Sequence, residues 1–384
     1  MNPAVPVELL RQLVAIPSVN PALAVDDAIR GEARLVDWLE PWFASKGFHS
    51  RRIGQTPGRP NLLVYFGPDA PRKTILFESH LDTVGVVGFQ GDPFVLRAAN
   101  GRLYGRGACD TKGPLAAFLA ALDGEVLAAL AAAGIQLAWL GAIGEETGNL
   151  GAEEAVADGL RADECIVLEP TALRIVHAHK GACWFTVATR GRAAHASDPG
   201  RGDNAILKMP AVWRILEEEK NAAAERRTDP VLGQPTVSVG TIHGGTGTNI
   251  VPDRCKIQVD RRLLPGETAA AVLADVRARL AAIPGGVEVA LLKESLPFRT
   301  GVDSALVRRF GAALEAAGAP DAREGAAWCS DAGPLAAACR ETIVWGPGDI
   351  AQAHTVDEYI AAAELETGRA VVRNYLLAAA QSRP

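Results

Sequence analysis

His80, Asp110, Glu145, Glu146, Glu169 and His354 are the residues of this 384-residue chain whose types and settings could carry chemistry. All but His354 stand where an apolar run or a glycine-rich turn ends: "FESH" (77–80), "GACD" (107–110), "GAIGEE" (141–146) and "CIVLEP" (165–170). A lone buried histidine is ordinarily a hydrogen-bonded core residue, and two adjacent glutamates ordinarily cap a loop. A set of acids on one rim is different. Buried carboxylates are costly unless paired or metal-bound, and several together repel one another without a cation. Divalent zinc accepts both imidazole nitrogen and carboxylate oxygen and answers that problem. Neighbouring side chains diverge at a strand end, so one of Glu145 and Glu146 can ligate while the other stays free. A free carboxylate in that position is a general base, worth on the order of 10²–10⁴ in rate.

Asp82 follows His80 at i+2, and in an extended strand those two side chains face the same way. The spacing predicts that the Asp82 carboxylate holds the far ring nitrogen of His80 and fixes its tautomer. The pair "HAH" (177–179) is a weaker metal candidate, because no acid follows closely and Lys180 adjoins it. "HGGTGTN" (243–249) lacks the lysine-serine/threonine ending of a phosphate loop. "DTKG" (110–113) has the composition of a phosphorylated pump loop but the wrong order. The run "EEEK" (217–220) reads as a solvated helix face.

The elements that must position these residues alternate. Strand-like runs at 61–67, 74–80, 135–146 and 164–171 are interleaved with helical runs at 115–133 and 150–159, the pattern of an α/β sheet covered on both faces. Ligands in such sheets gather at the carboxyl ends of the strands, where the acids and His80 stand. From about residue 180 the texture changes to strand–helix–strand–strand–helix, a smaller α+β unit; after 295 the α/β texture returns, with helices at 303–317 and 357–379 around a strand at 342–346. The expected organisation is one catalytic domain, 1–179 and 295–384, interrupted by an inserted domain at 180–294.

Composition bounds the function. The chain is 48% hydrophobic, ample for a large core, and its net charge of −6 argues against a nucleic-acid partner. Its six cysteines show no C-x-x-C pairing, and the N-terminal apolar pattern carries Glu8 and Arg11 rather than a secretory leader. A reduced cytoplasmic protein is the expectation. Residues 115–135 have the length of a membrane span, but Asp123, Gly124 and Glu125 at the centre favour an alanine-rich core helix, so no membrane is expected.

The motifs resemble, across essentially the whole chain, those of the zinc-dependent acetylornithine deacetylase, succinyl-diaminopimelate desuccinylase and aminoacylase family. "ILFESHLDTV" resembles its first signature, and "GRGACDTKG" through "GEETGNLGA" its second. The resemblance implies an α/β, zinc-peptidase-like catalytic domain with an inserted α+β lid and dimerisation domain. It implies two Zn2+ per subunit, with Co2+ or Mn2+ as substitutes: His80, Asp110 and Glu169 hold one ion, and Asp110, Glu146 and His354 the other. Asp82 would orient His80, and Glu145 would be the acid/base. "GRAAHAS" matches the lid histidine, making His195 a transition-state ligand reaching across a homodimer. Asn249 and Arg262 match lid residues that bind the substrate carboxylate. "HASDPGRGDNAI" and "WGPGDIAQAHTVDEYI" resemble the acetylornithine deacetylase branch, which implies an N-acetyl amino acid substrate, N-acetylornithine first, and a place in arginine biosynthesis. One departure is Asp331, where that branch usually carries glutamate; a loop meeting the substrate there would alter preference. Desuccinylase, aminoacylase or dipeptidase activity is the alternative within the family, and a non-catalytic metal-binding protein the alternative outside it.

Overall fold

In the computed structural model, which describes residues 4–226 and 228–382, the chain forms two compact units. The first is built from the chain up to His177, from Arg299–Glu324 and from Ser330 onward; the second from Ala178–Phe298 and Gly325–Cys329.

The first unit is organised by a mixed sheet. Its spatial order is His49–Ile53, Asn61–Phe66, Ile135–Ala142, Lys73–His80, Ala162–Val167, Cys339–Val344, Ile175–His179. The four strands from Ile135–Ala142 to Cys339–Val344 run parallel, and Asn61–Phe66 runs antiparallel beside them. Those central strands are near-continuous apolar runs, as expected of strands buried on both faces. The last six residues of Lys73–His80 are all buried. On one face Phe77 stacks on Phe118 of the Lys112–Ala121 helix, ring centroids 4.6 Å apart, and meets Tyr375 of the Ala362–Gln381 helix edge-on. Each such buried ring contributes about 1.5–3 kcal/mol by leaving water. The sheet therefore places the last residue of Lys73–His80 rigidly.

Several elements differ from expectation. The predicted helix at 115–133 is two helices, Lys112–Ala121 and Gly124–Ala132, bent by 71°. Asp123 breaks the run: its carboxylate caps the second helix by accepting from the Val126 N–H at 2.9 Å, and it pairs with Arg373. Among the described residues no single helix is long and apolar enough to cross a membrane. The predicted helix at 357–379 starts instead at Ala362, because Tyr359–Ala361 pairs as a strand with Arg102–Tyr104. The strand Val287–Ser295 was not foreseen at all.

The second unit has a four-stranded antiparallel sheet in the order Val237–Gly244, Arg254–Leu263, Gly181–Arg190, Val287–Ser295. The helices Ala205–Arg226 and Ala269–Leu280 complete it. Met209 and Val212 of the first helix and Val272 and Val276 of the second share a core with Phe185, Ile257 and Val259 of the sheet.

Candidate active site

Four parallel strands lead to His80, Glu145, Glu146, Glu169 and His354 of the first unit. His80 is the last residue of its strand, opposite Ala142 of the neighbour. Glu145 and Glu146 begin a four-residue helix three residues beyond Ala142. Glu169 lies two residues past Val167, with its N–H donating to the Trp345 carbonyl. His354 follows the Cys339–Val344 strand through a short 3-10 turn and has a φ of 63°. Asp110 comes from the loop that enters the Lys112–Ala121 helix.

Two groups of donor atoms result. In the first, His80, Asp110 and Glu169 each offer one atom, all within 4.8 Å of one another; in the second, Asp110, Glu146 and His354 do the same. Asp110 is common to both. His80 Nε2 lies 2.8 Å from Asp110 Oδ1 and 4.0 Å from Glu169. His354 Nε2 lies 2.9 Å from Glu146 Oε2 and 3.4 Å from Asp110 Oδ2. Glu145 belongs to neither group. Among the described residues the rival pair joins no group of three or more donor residues, and His177 and His179 each direct Nδ1 at a backbone carbonyl, of Thr300 and Lys180 respectively.

Burial dominates the electrostatics. It pushes Glu145 and Glu169 well above the usual carboxylate range, and nearby acids push further while His80 opposes. Burial also raises Glu146, against the hydrogen bond from His354. Asp110 is pushed up by burial too, yet hydrogen bonds from His354 and His80 reverse the balance and hold it below its ordinary value. Its hydrogen bond, together with that of Glu146, lifts His354 to about 10. His80 rises well above normal despite its burial, through Asp110 first. Burial thus opposes ionisation of Glu145, Glu146 and Glu169, an opposition that a bound divalent cation would relieve. Glu146 Oε1 is buried without a hydrogen-bond partner. The donor set of imidazoles, carboxylates and one orphaned oxygen fits divalent metal.

Asp82 meets His80 chiefly through its backbone, and its carboxylate has closer partners elsewhere. His80 Nδ1 is hydrogen-bonded to the Asp82 backbone carbonyl at 2.8 Å, whereas the nearer carboxylate oxygen is 3.7 Å away. The strand ends at His80, so the alternation that would aim Asp82 at the ring no longer applies. The Asp82 carboxylate instead accepts from the N–H groups of Glu145 and Glu146, at 3.1 and 3.2 Å, and from Asn20 Nδ2 at 2.7 Å. It anchors the turn that carries both glutamates. Asp331 is also not where a substrate-contacting residue would be: it is fully buried and bonded to Asn149.

Two supporting residues escaped the sequence reading. The buried Glu358 accepts from the N–H groups of Gly107, Cys109 and Asp110, at 3.1, 2.8 and 3.0 Å, and pairs with Arg106 at 2.6 Å, clamping the Asp110 loop. Its position four residues after His354 was the available signal. Asn20 carried none.

The second unit holds the other three residues singled out. His195 and Asn249 are neighbours there: the Ala196 N–H donates to the Asn249 carbonyl at 2.9 Å, and His195 bridges to Ile250. His195 is exposed, and its Nδ1 accepts from the Ser197 N–H at 3.2 Å. That leaves the proton on Nε2 in the neutral ring. Arg262 is half-buried and paired with Asp260 at 3.1 Å. Its neighbour Arg261 is buried and committed to Glu267.

Comparison with known proteins places the chain in a family. The model of peptidase family M20/M25/M40 matches residues 76–378, which include the whole acid and histidine cluster. Acetylornithine deacetylase of Proteus mirabilis (strain HI4320) is 32% identical over 390 residues, covering 97% of each chain. An M20 family metallo-carboxypeptidase from Sulfolobus solfataricus has the same fold, with a TM-score of 0.79 at 20% identity over 97% of this chain and 98% of that one. Aminopeptidase PepT from Bacillus cereus is similar in fold at 0.75, with 22% identity and 98% of both chains covered. With the family model matched over residues 76–378 and a relative 32% identical along nearly its full length, the chain belongs to peptidase family M20/M25/M40 and is a hydrolase of that family.

Proposed function

We propose that this hydrolase removes the acyl group from an Nα-acyl amino acid, with N-acetylornithine the first substrate to test, in a cytoplasmic step of arginine biosynthesis. The observation that carries the reading is Asp110 shared between two ligand groups, with Glu145 beside them and outside both. The 32% identity to an acetylornithine deacetylase over nearly the full length supports the substrate.

His80, Asp110 and Glu169 would hold one divalent ion, and Asp110, Glu146 and His354 the second, with zinc the metal the donor set favours. Bound there, the metals supply Lewis acidity and acidify water at neutral pH. Glu145 takes a proton from the attacking water and returns it to the nitrogen that departs when the C–N bond breaks. Asp82 keeps Glu145 in place through the turn. His195, by the resemblance a lid residue supplied by the second subunit of a homodimer, would offer Nε2–H to the developing oxyanion. Arg262 would take the substrate carboxylate, with Asn249 as a further polar contact.

The test is kcat/KM measured by amine release on a panel: Nα-acetyl-ornithine, N-succinyl-diaminopimelate, other N-acetyl amino acids and dipeptides. Nα-acetyl-ornithine is expected to lead. A dipeptide or succinylated diamine leading by an order of magnitude would replace the substrate assignment and leave the reaction class intact.

A further inference from the structure

The buried side chains behind Glu145 carry an assignment that neither the motifs nor the ligand groups make. Glu145 leaves the sheet after Gly144, whose φ is 71°, on a helix that ends at Asn149, itself left-handed at 62°. The Asn149 amide nitrogen is 3.0 Å from Asp331 Oδ1 and 3.4 Å from Glu145 Oε1. A carboxamide NH2 has two hydrogens, so one nitrogen can serve both carboxylates. Asp331 is wholly buried and Glu78, whose carboxyl group it meets, is 1% exposed. Packing therefore fixes Asp331 in place, and Asp331 fixes the amide.

We propose that Asn149 and Asp331 form a positioning relay for Glu145: Asp331 orients the Asn149 amide, and the amide holds the Glu145 carboxylate in the direction from which it exchanges protons. The inference rests on the reading of Glu145 as the acid/base. It follows from placing an uncharged donor between two acids that would otherwise repel across the same gap. One N–H to each replaces that repulsion with two hydrogen bonds. It also gives Asp331 a reason to be a buried acid rather than a substrate contact.

Asn149→Gly removes the amide and keeps the left-handed backbone, which glycine adopts freely. With Nα-acetyl-ornithine the relay predicts a kcat lower by about 10- to 100-fold, the scale of a misaimed reactive group, while KM and metal content stay as in the wild type. Asp331→Ala should fall by a similar factor. Asp331→Asn, which keeps the oxygen facing Asn149 and offers an N–H to Glu78, should recover most of what Asp331→Ala loses. Wild-type kcat in Asn149→Gly, or a raised KM at unchanged kcat, would overturn the relay. So would equal losses in Asp331→Asn and Asp331→Ala. A high-resolution crystal structure of Asn149→Gly tests the same claim without any substrate: the Glu145 carboxylate should be displaced or split between orientations, and an unmoved carboxylate refutes the relay even if the substrate assignment has failed. Absence of wild-type turnover across the substrate panel would count against the functional reading alone.

Discussion

The acid cluster of the first unit and the His195–Asn249 loop of the second hold their polar groups by opposite means. His80, Asp110 and Glu169 are 3, 7 and 5% exposed, the first and last just at or past strand ends and Asp110 in the loop that enters the Lys112–Ala121 helix. Their cost is desolvation, visible in the raised pKa values of Glu145 and Glu169. His195 and Asn249 are exposed and held by local turn bonds: a bridge to Ile250, the Ala196 N–H, and Ser197. The first arrangement is preorganised and charge-strained, which suits holding cations. The second keeps a donor available without strain, which suits a group that serves the transition state after substrate has bound.

That contrast separates under mutation. Glu145→Gln is predicted to lower kcat by about 10²–10⁴-fold, the contribution of a general base, with the metal content measured per chain unchanged. Loss of metal together with activity would move Glu145 into the ligand set. His195→Ala is predicted to cost about 10²–10³ in kcat, as for the loss of one oxyanion donor. Its thermal midpoint should match the wild type, because an exposed side chain held by one turn adds little to folding. A large drop in that midpoint would mean that His195 is structural.

The smallest effect is one of pH on the metal-free protein. His354 titrates near 10 when folded, above its ordinary 6.5, so its contribution to stability is complete below about 6.5 and disappears as pH rises through 10. Its side chain is 56% exposed, and solvent screening keeps the contribution modest. Denaturant midpoints of chelator-treated protein should therefore decline over that window, and His354→Ala should flatten the decline. A midpoint that rises with pH there would contradict the proposed pairing with Asp110 and Glu146.

Much of this site was legible because the same signal reports fold and function. An apolar run that stops at a histidine or an acid marks both a buried strand and the end where parallel sheets bind ligands, and His80, Glu146 and Glu169 were found that way. What was missed depended on geometry beyond the element's end. Asp82 lies past the strand, so the two-residue alternation aimed it wrongly, and its carboxylate serves the Glu145 turn instead. The alanine-rich run around Leu115–Ala132 is apolar on nearly every face, which hid its break, although Asp123 was present as a capping residue. Asn20 and Glu358 reach the site from opposite ends of the chain, the one at Asp82 and the other at the Asp110 loop, through hydrogen bonds between residues far apart in sequence. The segment Gly325–Cys329, which belongs to the second unit, interrupts the return of the first in a way that a linear reading of texture does not reveal.

The central claim is that the buried acids of the first unit act through divalent metal on an acyl amino acid. The most direct measurement is amine release from Nα-acetyl-ornithine by chelator-stripped protein as zinc is added back. The account predicts no release without metal and recovery that saturates near two equivalents per chain. Turnover that persists undiminished in chelator, with metal analysis showing an empty protein, would contradict it.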